Sequence, residues 1–508
     1  MEITEILPQY AYATKQVRDH EAKAAQLANL SLYQLMESAG SAVFSLIKKQ
    51  LNSPKAKILL LCGKGNNGGD GFVIARLALL AGYRVKVILF ADKNAVQGDA
   101  GTAMAKYVQA QGKLISCNKR EDLLKYTAEF AADVIVDALL GTGFTGNITG
   151  IYQQAIHWLN EQPTTVVSVD IPSGLNADTG VATNTTVKAD FTVTFIAVKK
   201  GLLTGQSVDF IGRLFFASLS IDTYFHQLVK SDCKVVSTQY QPKLLPRIAS
   251  SHKGKIGLVL TIGGGQGMPG AIRLCSEAAL RCGAALVSVC CAENNQTMVL
   301  NGRPELMLAA NNAQQLQFLP VLHKAKVITI GTGLGRSQWA EQLFNVVIAL
   351  KNPQQTIVFD ADGLHFLAKT QHRAHNRVLT PHPGEAATLL QCSIGEIEAD
   401  RFSAVKKIAQ IYGGVCVLKG AGSLVSDGNM VWINTSGNAG MASGGMGDVL
   451  SGIIAACLLQ AKTITEAVIL AVFIHGQAAD IIAQKYGQRG ILASDLFIPL
   501  QKLINTPR

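Results

Sequence analysis

Short apolar segments of this chain are repeatedly followed, without a spacer, by glycine-rich loops. The stretch 58–80, ILLLCGKGNNGGDGFVIARLALL, reads as a buried strand at 58–62, a loop with glycines from 63 to 71, and an apolar-periodic helix. A strand, a glycine loop and a helix in this order open a doubly wound nucleotide-binding unit. We therefore predict an α/β fold with mainly parallel sheets.

The same alternation continues along most of the chain. A helical pattern covers residues 15–50, and two series of predicted strands follow it. The strands are predicted at residues 58–62, 85–90, 133–139, 165–170 and 191–197, and then at 256–262, 284–291, 326–330, 356–360 and 415–419. The periodicity lapses in the polar stretch 226–245, so we predict two domains, residues 1–230 and 231–508.

Composition limits the class of protein. Of the 508 residues, 48% are hydrophobic and 16% are charged, which is typical of globular domains with buried sheets. We find no apolar run of the roughly 18 residues that a membrane span needs, and the N-terminal segment has no basic and apolar regions of a signal peptide. We expect a cytoplasmic protein that binds no membrane. The ten cysteines show no metal-binding spacing and are expected to be reduced core thiols.

The net charge of +11 predicts anionic ligands. Nucleotides fit this charge better than nucleic acid does. The basic residues do not cluster beyond pairs such as Lys199 and Lys200, and only 6% of residues are aromatic, which leaves no obvious platform for stacked bases.

Ligands of open parallel sheets bind beyond the carboxyl ends of the strands. In the first domain the candidates are residues 63–70, Asp137, residues 141–147, and Asp170 with Ser173. Side-chain oxygens in the NNGGD run suit a hard cation or ribose hydroxyls. Asp170 is placed for acid–base work, although a turn aspartate before Pro172 explains it equally well.

In the second domain the candidate segments are 263–271, 331–335, 360–362, 381–385, 419–423 and 444–448. The last of these, GGMGD, precedes an apolar helix and predicts an anion site at a helix N-terminus. Asp448 beside it is a candidate general base. A glycine-rich turn that only caps a buried helix remains an alternative, and His382 is either a structural or a site residue.

The motifs of both domains resemble known families. GKGNNGGDGF, DALLGTG and VDIPSG, within about residues 10–220, resemble the YjeF N-terminal family of NAD(P)H-hydrate epimerases. GGGQGMPGA, GTGLG, DADGL, TPHPGE, KGAGS and GGMGDVLSG, within about residues 245–500, resemble the ADP/ATP-dependent NAD(P)H-hydrate dehydratases, a ribokinase-like branch. A Rossmann-like doubly wound domain followed by a ribokinase-like domain is therefore expected, as in the bifunctional NAD(P)H-hydrate repair family.

The resemblance implies that the first domain interconverts the R and S hydrates of NADH and NADPH at C6 of the nicotinamide ring. Asp170 would transfer the proton, and Asn67, Asp137 and Ser173 would bind potassium. The hydrate would contact Asp170 together with Asn66, Asn67, Gly68, Gly69, Asp70, Gly141, Thr142, Gly143, Phe144, Thr145, Gly146 and Asn147.

For the second domain, the resemblance implies dehydration of the S hydrate with ADP or ATP and magnesium. Asp448 would help the C6 hydroxyl take up a phosphoryl group, after which phosphate departs. The hydrate would contact Ala271, Gly333, His382 and Asp448, and the nucleotide would contact Lys419, Gly420, Ala421, Gly422, Ser423 and Gly447. The expected partners are NADHX, NADPHX and ADP or ATP, and a homo-oligomer is expected.

Two other functions remain open from the sequence. A small-molecule kinase, for example of a vitamin precursor, with an N-terminal nucleotide-binding module would share the ribokinase-like frame and the GxGD motif. A kinase leaves a stable phosphorylated product, whereas the repair enzyme releases phosphate and restores the dihydronicotinamide absorbance. A pure binding role for the first domain is disfavoured by the joint presence of NNGGD, Asp137, Asp170 and Ser173.

Overall fold

The computed structural model of the protein describes residues 3–51, 53, 55–128, 130–244, 246–370 and 372–505. The chain folds as two compact units, Met1–Cys233 and Lys234–Arg508. Both are mixed α/β structures built on mainly parallel sheets, as predicted.

Strands and helices alternate through the first unit. Its strands are β1 (Tyr10–Tyr12), β2 (Lys57–Cys62), β3 (Arg84–Leu89), β4 (Leu114–Ser116), β5 (Val134–Ala138), β6 (Thr165–Val169), β7 (Phe191–Phe195), β8 (Val198–Lys199) and β9 (Arg213–Ala217). Its helices are α1 (Thr14–Leu27), α2 (Leu32–Gln50), α3 (Asn66–Leu80), α4 (Gly98–Gln109), α5 (Arg120–Ala128), α6 (Gly150–Asn160) and α7 (Asp222–Leu228).

The main sheet of this unit has the order β4-β3-β2-β5-β6-β7-β9, and neighbouring strands are parallel. Strand β2 shows why both faces of the sheet are covered. Ile58 and Leu60 enter one buried cluster, while Leu59 and Leu61 enter another on the opposite face. A continuous apolar run is what a strand buried on both faces requires.

A second parallel sheet organises the other unit. Its strands are β10 (Cys233–Val236), β11 (Leu258–Ile262), β12 (Leu286–Cys290), β13 (Leu306–Ala310), β14 (Val327–Ile330), β15 (Thr356–Phe359), β16 (Arg377–Leu379), β17 (Val415–Leu418), β18 (Leu424–Ser426) and β19 (Val431–Asn434). From β13 the order is β13-β12-β11-β14-β15-β16-β17-β18-β19, parallel up to β17 and antiparallel from β17 to β19.

Helices cover this sheet as well. They are α8 (Lys253–Ile256), α9 (Pro269–Arg281), α10 (Gln296–Leu300), α11 (Ala313–Phe318), α12 (Pro320–Lys324), α13 (Gln338–Leu350), α14 (Asp362–Thr370), α15 (Pro383–Leu390), α16 (Ile394–Ala399), α17 (Arg401–Tyr412), α18 (Met446–Leu458), α19 (Ile464–Tyr486) and α20 (Phe497–Leu503). Helices α18 and α19 supply much of the buried apolar cluster of the unit.

The predicted strands agree with the structure to within about two residues at most ends. The helical pattern at 15–50 is in fact two helices, because Ser31 caps the start of α2 with a side-chain bond to the Gln34 N–H and Asn29 adopts a left-handed φ of 57°. Short strands such as β4 and β16, and the antiparallel pair β18 and β19, were not predicted, since three or four residues give too little periodicity.

The cysteines and helix α19 bear on two expectations from the sequence. All ten cysteines are free, and nine are buried, Cys392 being partly exposed. Helix α19 has the length and apolar composition of a membrane span, although no such segment was expected from the sequence. However, 67% of its most apolar window is buried inside the unit, as in the core helix of a globular domain.

Candidate active sites

The predicted cation ligands of the first unit lie together at the carboxyl edge of its sheet. Strands β2, β5 and β6 are neighbours, so the residues after them meet. Asn67 Nδ2 donates to the Leu140 carbonyl at 3.0 Å, and Ser173 donates to Asp137 through its backbone N–H at 2.8 Å and its hydroxyl at 2.6 Å. The structure thus joins Asn67, Asp137 and Ser173 in one buried cluster.

Asp137 is fully buried at the end of β5. Burial raises the pKa of Asp137, and hydrogen bonds from Ser173, from the Ser168 hydroxyl and from the Leu139 N–H oppose that rise. By contrast, Asn67 Oδ1 is buried and has no hydrogen-bond partner among the described residues. A buried oxygen without a partner costs about 1–3 kcal/mol, so this atom is a ready ligand for a cation.

The run at 66–70 does not form the loop that was predicted. These residues begin helix α3, with Gly65 as the N-cap. The glycines serve close packing: a Cβ on Gly68 would lie 1.9 Å from the Gly63 carbonyl oxygen, and one on Gly63 would lie 2.0 Å from the Leu139 carbonyl oxygen. The helix N-terminus is thereby brought down onto the strand ends, which leaves its N–H groups at the site.

Asp170 directly follows β6 in a left-handed conformation, with a φ of 64°. Its Oδ1 accepts hydrogen bonds from Lys199 Nζ at 2.5 Å, from the Thr194 hydroxyl at 3.1 Å and from the Phe195 N–H at 3.2 Å. The carboxylate is only 16% exposed. It is therefore a fixed group in the site rather than a solvated turn residue.

Two further carboxyl groups lie within electrostatic reach of Asp170. Burial, followed by Asp170 and Glu21, raises the pKa of Asp70 well above its usual range, while Lys199 acts in the opposite direction. Burial also raises the pKa of Glu21, which Lys199 opposes and Asp170 reinforces. The site thus gathers three carboxyl groups around one buried lysine.

The predicted loop 141–147 follows β5 as an irregular segment. Gly141 packs against Asn67, since a Cβ on this glycine would lie 3.1 Å from the Asn67 Cβ. Phe144 contacts the buried cluster on one face of the sheet, whereas Gly143, Thr145, Gly146 and Asn147 are exposed. The loop therefore starts at the cation cluster and extends to the surface, with Thr142 between these two parts.

In the second unit, helix α18 starts at Met446 after Gly445, whose φ is 88°. Asp448 lies in the first turn, as predicted, so its carboxylate sits beside the unpaired N–H groups of the helix. Burial and the Asp360 carboxylate raise the pKa of Asp448 to about 7, against the opposing effect of Lys419. A carboxyl group with this pKa can accept a proton near neutral pH.

A buried ionic network lies directly beneath this turn. Lys419 Nζ donates to Asp360 Oδ1 at 2.8 Å and lies 3.6 Å from Glu385 Oε2. Asp360 also accepts hydrogen bonds from the hydroxyls of Thr380 and Ser451, at 2.9 and 2.8 Å. Burial lowers the pKa of Lys419, but Asp360 and Glu385 outweigh it and the pKa is raised. The lysine is therefore cationic.

Lys419 also approaches the glycine turn, because a Cβ on Gly447 would lie 3.4 Å from its Nζ. Together, the ammonium and the helix N-terminus make the turn favourable for an anion. The remaining residues of KGAGS form the hairpin loop between β17 and β18, where the Ser423 hydroxyl donates to the Gly420 carbonyl at 2.9 Å. Gly420, Ala421, Gly422 and Ser423 are thus presented by a hairpin and not by a strand–helix turn.

His382 is the N-cap of α15. Its Nδ1 accepts hydrogen bonds from the N–H groups of Gly384 at 2.9 Å and Glu385 at 3.3 Å, so the ring proton lies on Nε2. The side chain is 56% exposed. His382 therefore caps a helix, and its Nε2 lies 3.5 Å from Glu385 Oε1. A contact with the hydrate stays a prediction.

Ala271 and Gly333 meet at the edge of the same sheet, since a Cβ on Gly333 would lie 2.9 Å from the Ala271 Cβ. Gly333 has a φ of 58°, which favours glycine. Among the described residues, no hydrogen bond joins this pair to Asp448 or His382. Ala271 and Gly333 therefore form a closely packed apolar contact and contribute no polar side chain to the site.

Three side chains that support the sites were not singled out from the sequence. Lys199 binds Asp170. Arg401, which is buried, donates to the Lys419 carbonyl at 3.1 Å and lies against Gly420. His475 on α19 bonds to the backbone of Met446, and burial followed by Lys419 lowers its pKa to about 4. A charged or polar residue inside an apolar run was the available signal for Lys199 and His475.

Comparison with known proteins agrees with this two-site architecture. The YjeF-related protein N-terminus family matches residues 32–201, and the NAD(P)H-hydrate dehydratase family matches residues 259–502. A ribokinase-like superfamily protein from Enterococcus faecalis V583 has a similar structure, with a TM-score of 0.50 and 28% identity, over 54% of this chain and 96% of that chain.

Relatives of nearly full length carry both halves. The bifunctional NAD(P)H-hydrate repair enzyme Nnr of Escherichia coli strain K12 is 42% identical over 501 residues, which is 98% of this chain and 95% of the relative. The enzyme of the same name from Coxiella burnetii is 41% identical, over 97% of this chain and 99% of the relative. The chain therefore belongs to the family of bifunctional NAD(P)H-hydrate repair enzymes.

Proposed function

We propose that the two units carry out successive steps of nicotinamide nucleotide repair. The first unit epimerises the R and S hydrates of NADH and NADPH at C6, and the second dehydrates the S hydrate with ADP or ATP. The proposal is supported chiefly by one observation: each unit places a partly buried aspartate, Asp170 or Asp448, at the carboxyl edge of its own sheet. The relatives that match nearly the whole chain support the same pairing of activities.

Epimerisation needs a bond at C6 to open and to close on the opposite face. C6 carries both a hydroxyl group and ring nitrogen N1. If Asp170 takes the hydroxyl proton, the C6–O bond becomes a carbonyl and the C6–N1 electron pair moves to N1, which is conjugated with the carboxamide. Rotation, attack of N1 on the other carbonyl face and return of the proton give the second epimer. One carboxylate that both accepts and returns a proton is sufficient.

Dehydration needs a better leaving group than hydroxide. Asp448 would accept the proton of the C6 hydroxyl while the hydroxyl oxygen attacks the terminal phosphorus of the donor. AMP leaves when the donor is ADP, and ADP leaves when the donor is ATP. Phosphate then departs from C6 as N1 donates electrons and C5 loses a proton. The N–H groups of the 444–448 turn and the nearby Lys419 ammonium would stabilise the charge on the transferring phosphoryl group.

The KGAGS hairpin, Lys419 to Ser423, would hold the nucleotide with Gly447, and Ala271, Gly333 and His382 would contact the hydrate. Magnesium commonly binds through substrate phosphates and one or two carboxylates. Asp360 already accepts three hydrogen bonds, from Lys419, Thr380 and Ser451, so Asp448 is the nearby carboxylate without a described partner. When bound, magnesium would neutralise the phosphate charge of the donor.

In the first unit, residues 66–70 and 141–147 would contact the hydrate. The cluster around Asn67 fits a potassium ion because Asn67 Oδ1 is a buried acceptor without a partner beside Asp137 and the Ser173 hydroxyl. Carboxylate, amide and hydroxyl oxygens are ligands for hard cations. When bound, potassium would add positive charge at the strand edge where the dinucleotide is proposed to lie.

One reaction tests both activities. The purified protein is incubated with an equilibrated mixture of R and S hydrates and ADP, and the dihydronicotinamide absorbance is followed. We expect complete conversion, with phosphate released in a one-to-one ratio to NADH. Conversion that stops when the S hydrate is consumed would contradict the epimerase assignment. A stable phosphorylated substrate without recovery of absorbance would instead indicate a kinase.

A further inference from the structure

Asp170 is anchored through only one of its two carboxylate oxygens. All three hydrogen bonds to this carboxylate, from Lys199, Thr194 and Phe195, end on Oδ1. No residue in the described part of the chain donates a hydrogen bond to Oδ2. The two oxygens are therefore unequal: Oδ1 is fixed by the protein, and Oδ2 is left for a ligand.

Lys199 has no donor left for such a ligand. Its side chain is 2% exposed. Besides Asp170, Nζ donates to the Thr194 hydroxyl at 3.1 Å and to the Phe195 carbonyl at 3.0 Å. An ammonium group has three N–H donors, and these three bonds use all of them. Lys199 can therefore act on a substrate only through Asp170.

Other carboxyl groups surround the ion pair of Lys199 and Asp170. Glu21 on α1, Asp70 on α3 and Asp170 after β6 all act on one another electrostatically, and Lys199 at the end of β8 is the cation among them. Burial already disfavours the ionised forms of Glu21 and Asp70. Among the described residues, Asp170 is the carboxyl group of this cluster that bonds directly to the Lys199 ammonium.

We propose that Lys199 is a positioning residue of the epimerase: it binds Oδ1 of Asp170 and thereby presents Oδ2, as a carboxylate, to the C6 hydroxyl. The inference rests on the proposed epimerase function of this unit. Oδ2 takes the hydroxyl proton as C6–N1 opens and returns it to the same oxygen after N1 has closed on the other face. Lys199 gains and loses no proton in the cycle.

The test is Lys199→Met in the full-length protein, with Lys188→Met, which removes an exposed lysine of the same unit, as the matched control. We expect kcat for epimerisation to fall about 10- to 100-fold while KM changes less than about threefold. The acidic limb of the pH–rate profile should move to higher pH, because Asp170 loses its counter-charge while Asp70 and Glu21 remain. Lys188→Met should change neither quantity.

A second variant guards against a folding defect. Thr194→Val keeps the shape of the side chain but removes the hydroxyl that bridges Lys199 and Asp170, so it should shift the acidic limb in the same direction by a smaller amount. Circular dichroism and thermal unfolding of the same preparations, compared with the wild-type protein, report whether the first unit is folded. A lower rate with an unshifted pH profile in both variants would overturn the proposal. If the wild-type protein does not epimerise at all, the proposed function fails instead.

Discussion

The two proposed acid–base carboxylates are prepared by different means. Asp170 is held by a direct ion pair with a buried lysine, Lys199. Asp448 has no such direct bond among the described residues, and its pKa is raised to about 7 mainly by burial and by Asp360. The first arrangement holds one carboxylate oxygen in place while the other can accept and return a proton, whereas the second suits a group that changes protonation near neutral pH.

The Asp448 arrangement predicts the pH dependence of dehydration. Because the ionised form is the base, the rate should rise with pH and level off above about 7, and at pH 6 it should be about tenfold below the plateau.

Asp448→Asn should lower the dehydration rate by about two to four powers of ten. Rates are measured with pure S hydrate and ADP, and epimerisation by the same protein serves as the control. If Asp448→Asn retained more than half of the wild-type dehydration rate, Asp448 would not be the general base.

The Asn67 Oδ1 atom, which lacks a described hydrogen-bond partner, predicts that epimerisation depends on potassium. Epimerisation should be at least about tenfold slower when potassium is replaced by tetramethylammonium at equal ionic strength, because a bulky cation cannot enter the cluster of Asn67, Asp137 and Ser173. Ser173→Ala should weaken the response to potassium. Equal rates in the two salts would reassign these three residues to a purely structural role.

Sequence reasoning worked for residues that follow parallel strands, because the topology alone puts strand ends at one edge. Asn67, Asp137 and Ser173 were predicted this way, and the structure joins them. Lys199 and Arg401 were not predicted, since neither was among the residues that directly follow a predicted strand and contribute to the expected sites. Such pairings depend on side-chain packing, which periodicity does not report.

At the scale of whole elements, the glycines have two distinct uses. Those of α3, and Gly452 in α18, let backbones approach: a Cβ on Gly452 would lie 2.1 Å from the Cys275 carbonyl oxygen. Gly444, before α18, has no atom within 4 Å of such a Cβ. The sequence showed glycine clusters at both sites but could not separate packing from ligand access, which explains why the start of α3 was taken for a loop.

Paired substitutions in α3 test the packing role. Gly68→Ala should lower the thermal stability of the first unit, corresponding to about 1–3 kcal/mol of overpacking, and should reduce epimerisation because α3 must move away from Gly63. Gly65→Ala is the control: its Cβ would meet nothing within 4 Å, and its φ of −89° is available to alanine. Thermal unfolding and both activities are compared. Equal behaviour of the two variants would show that close packing at Gly68 is not needed.

At the scale of the whole molecule, each unit has its own buried clusters and its own candidate site. The site residues of one unit make their described hydrogen bonds within that unit, as in the bonds of Asp170 and Asp360. We therefore expect point substitutions to separate the two activities, and we expect the S hydrate to be released into solution between them.

Mixing two inactive full-length variants tests this independence. Asp170→Ala should dehydrate pure S hydrate at the wild-type rate but should stall on an R and S mixture, apart from slow spontaneous epimerisation. Asp448→Asn should epimerise without dehydrating. An equimolar mixture of the two proteins should then convert both hydrates completely with ADP, because the S hydrate can diffuse from one chain to the other. If Asp170→Ala, folded as judged by circular dichroism, loses S-hydrate dehydration as well, the two sites are not independent. If the mixture also stalls although each variant retains its own activity, the S hydrate is not released between the two steps.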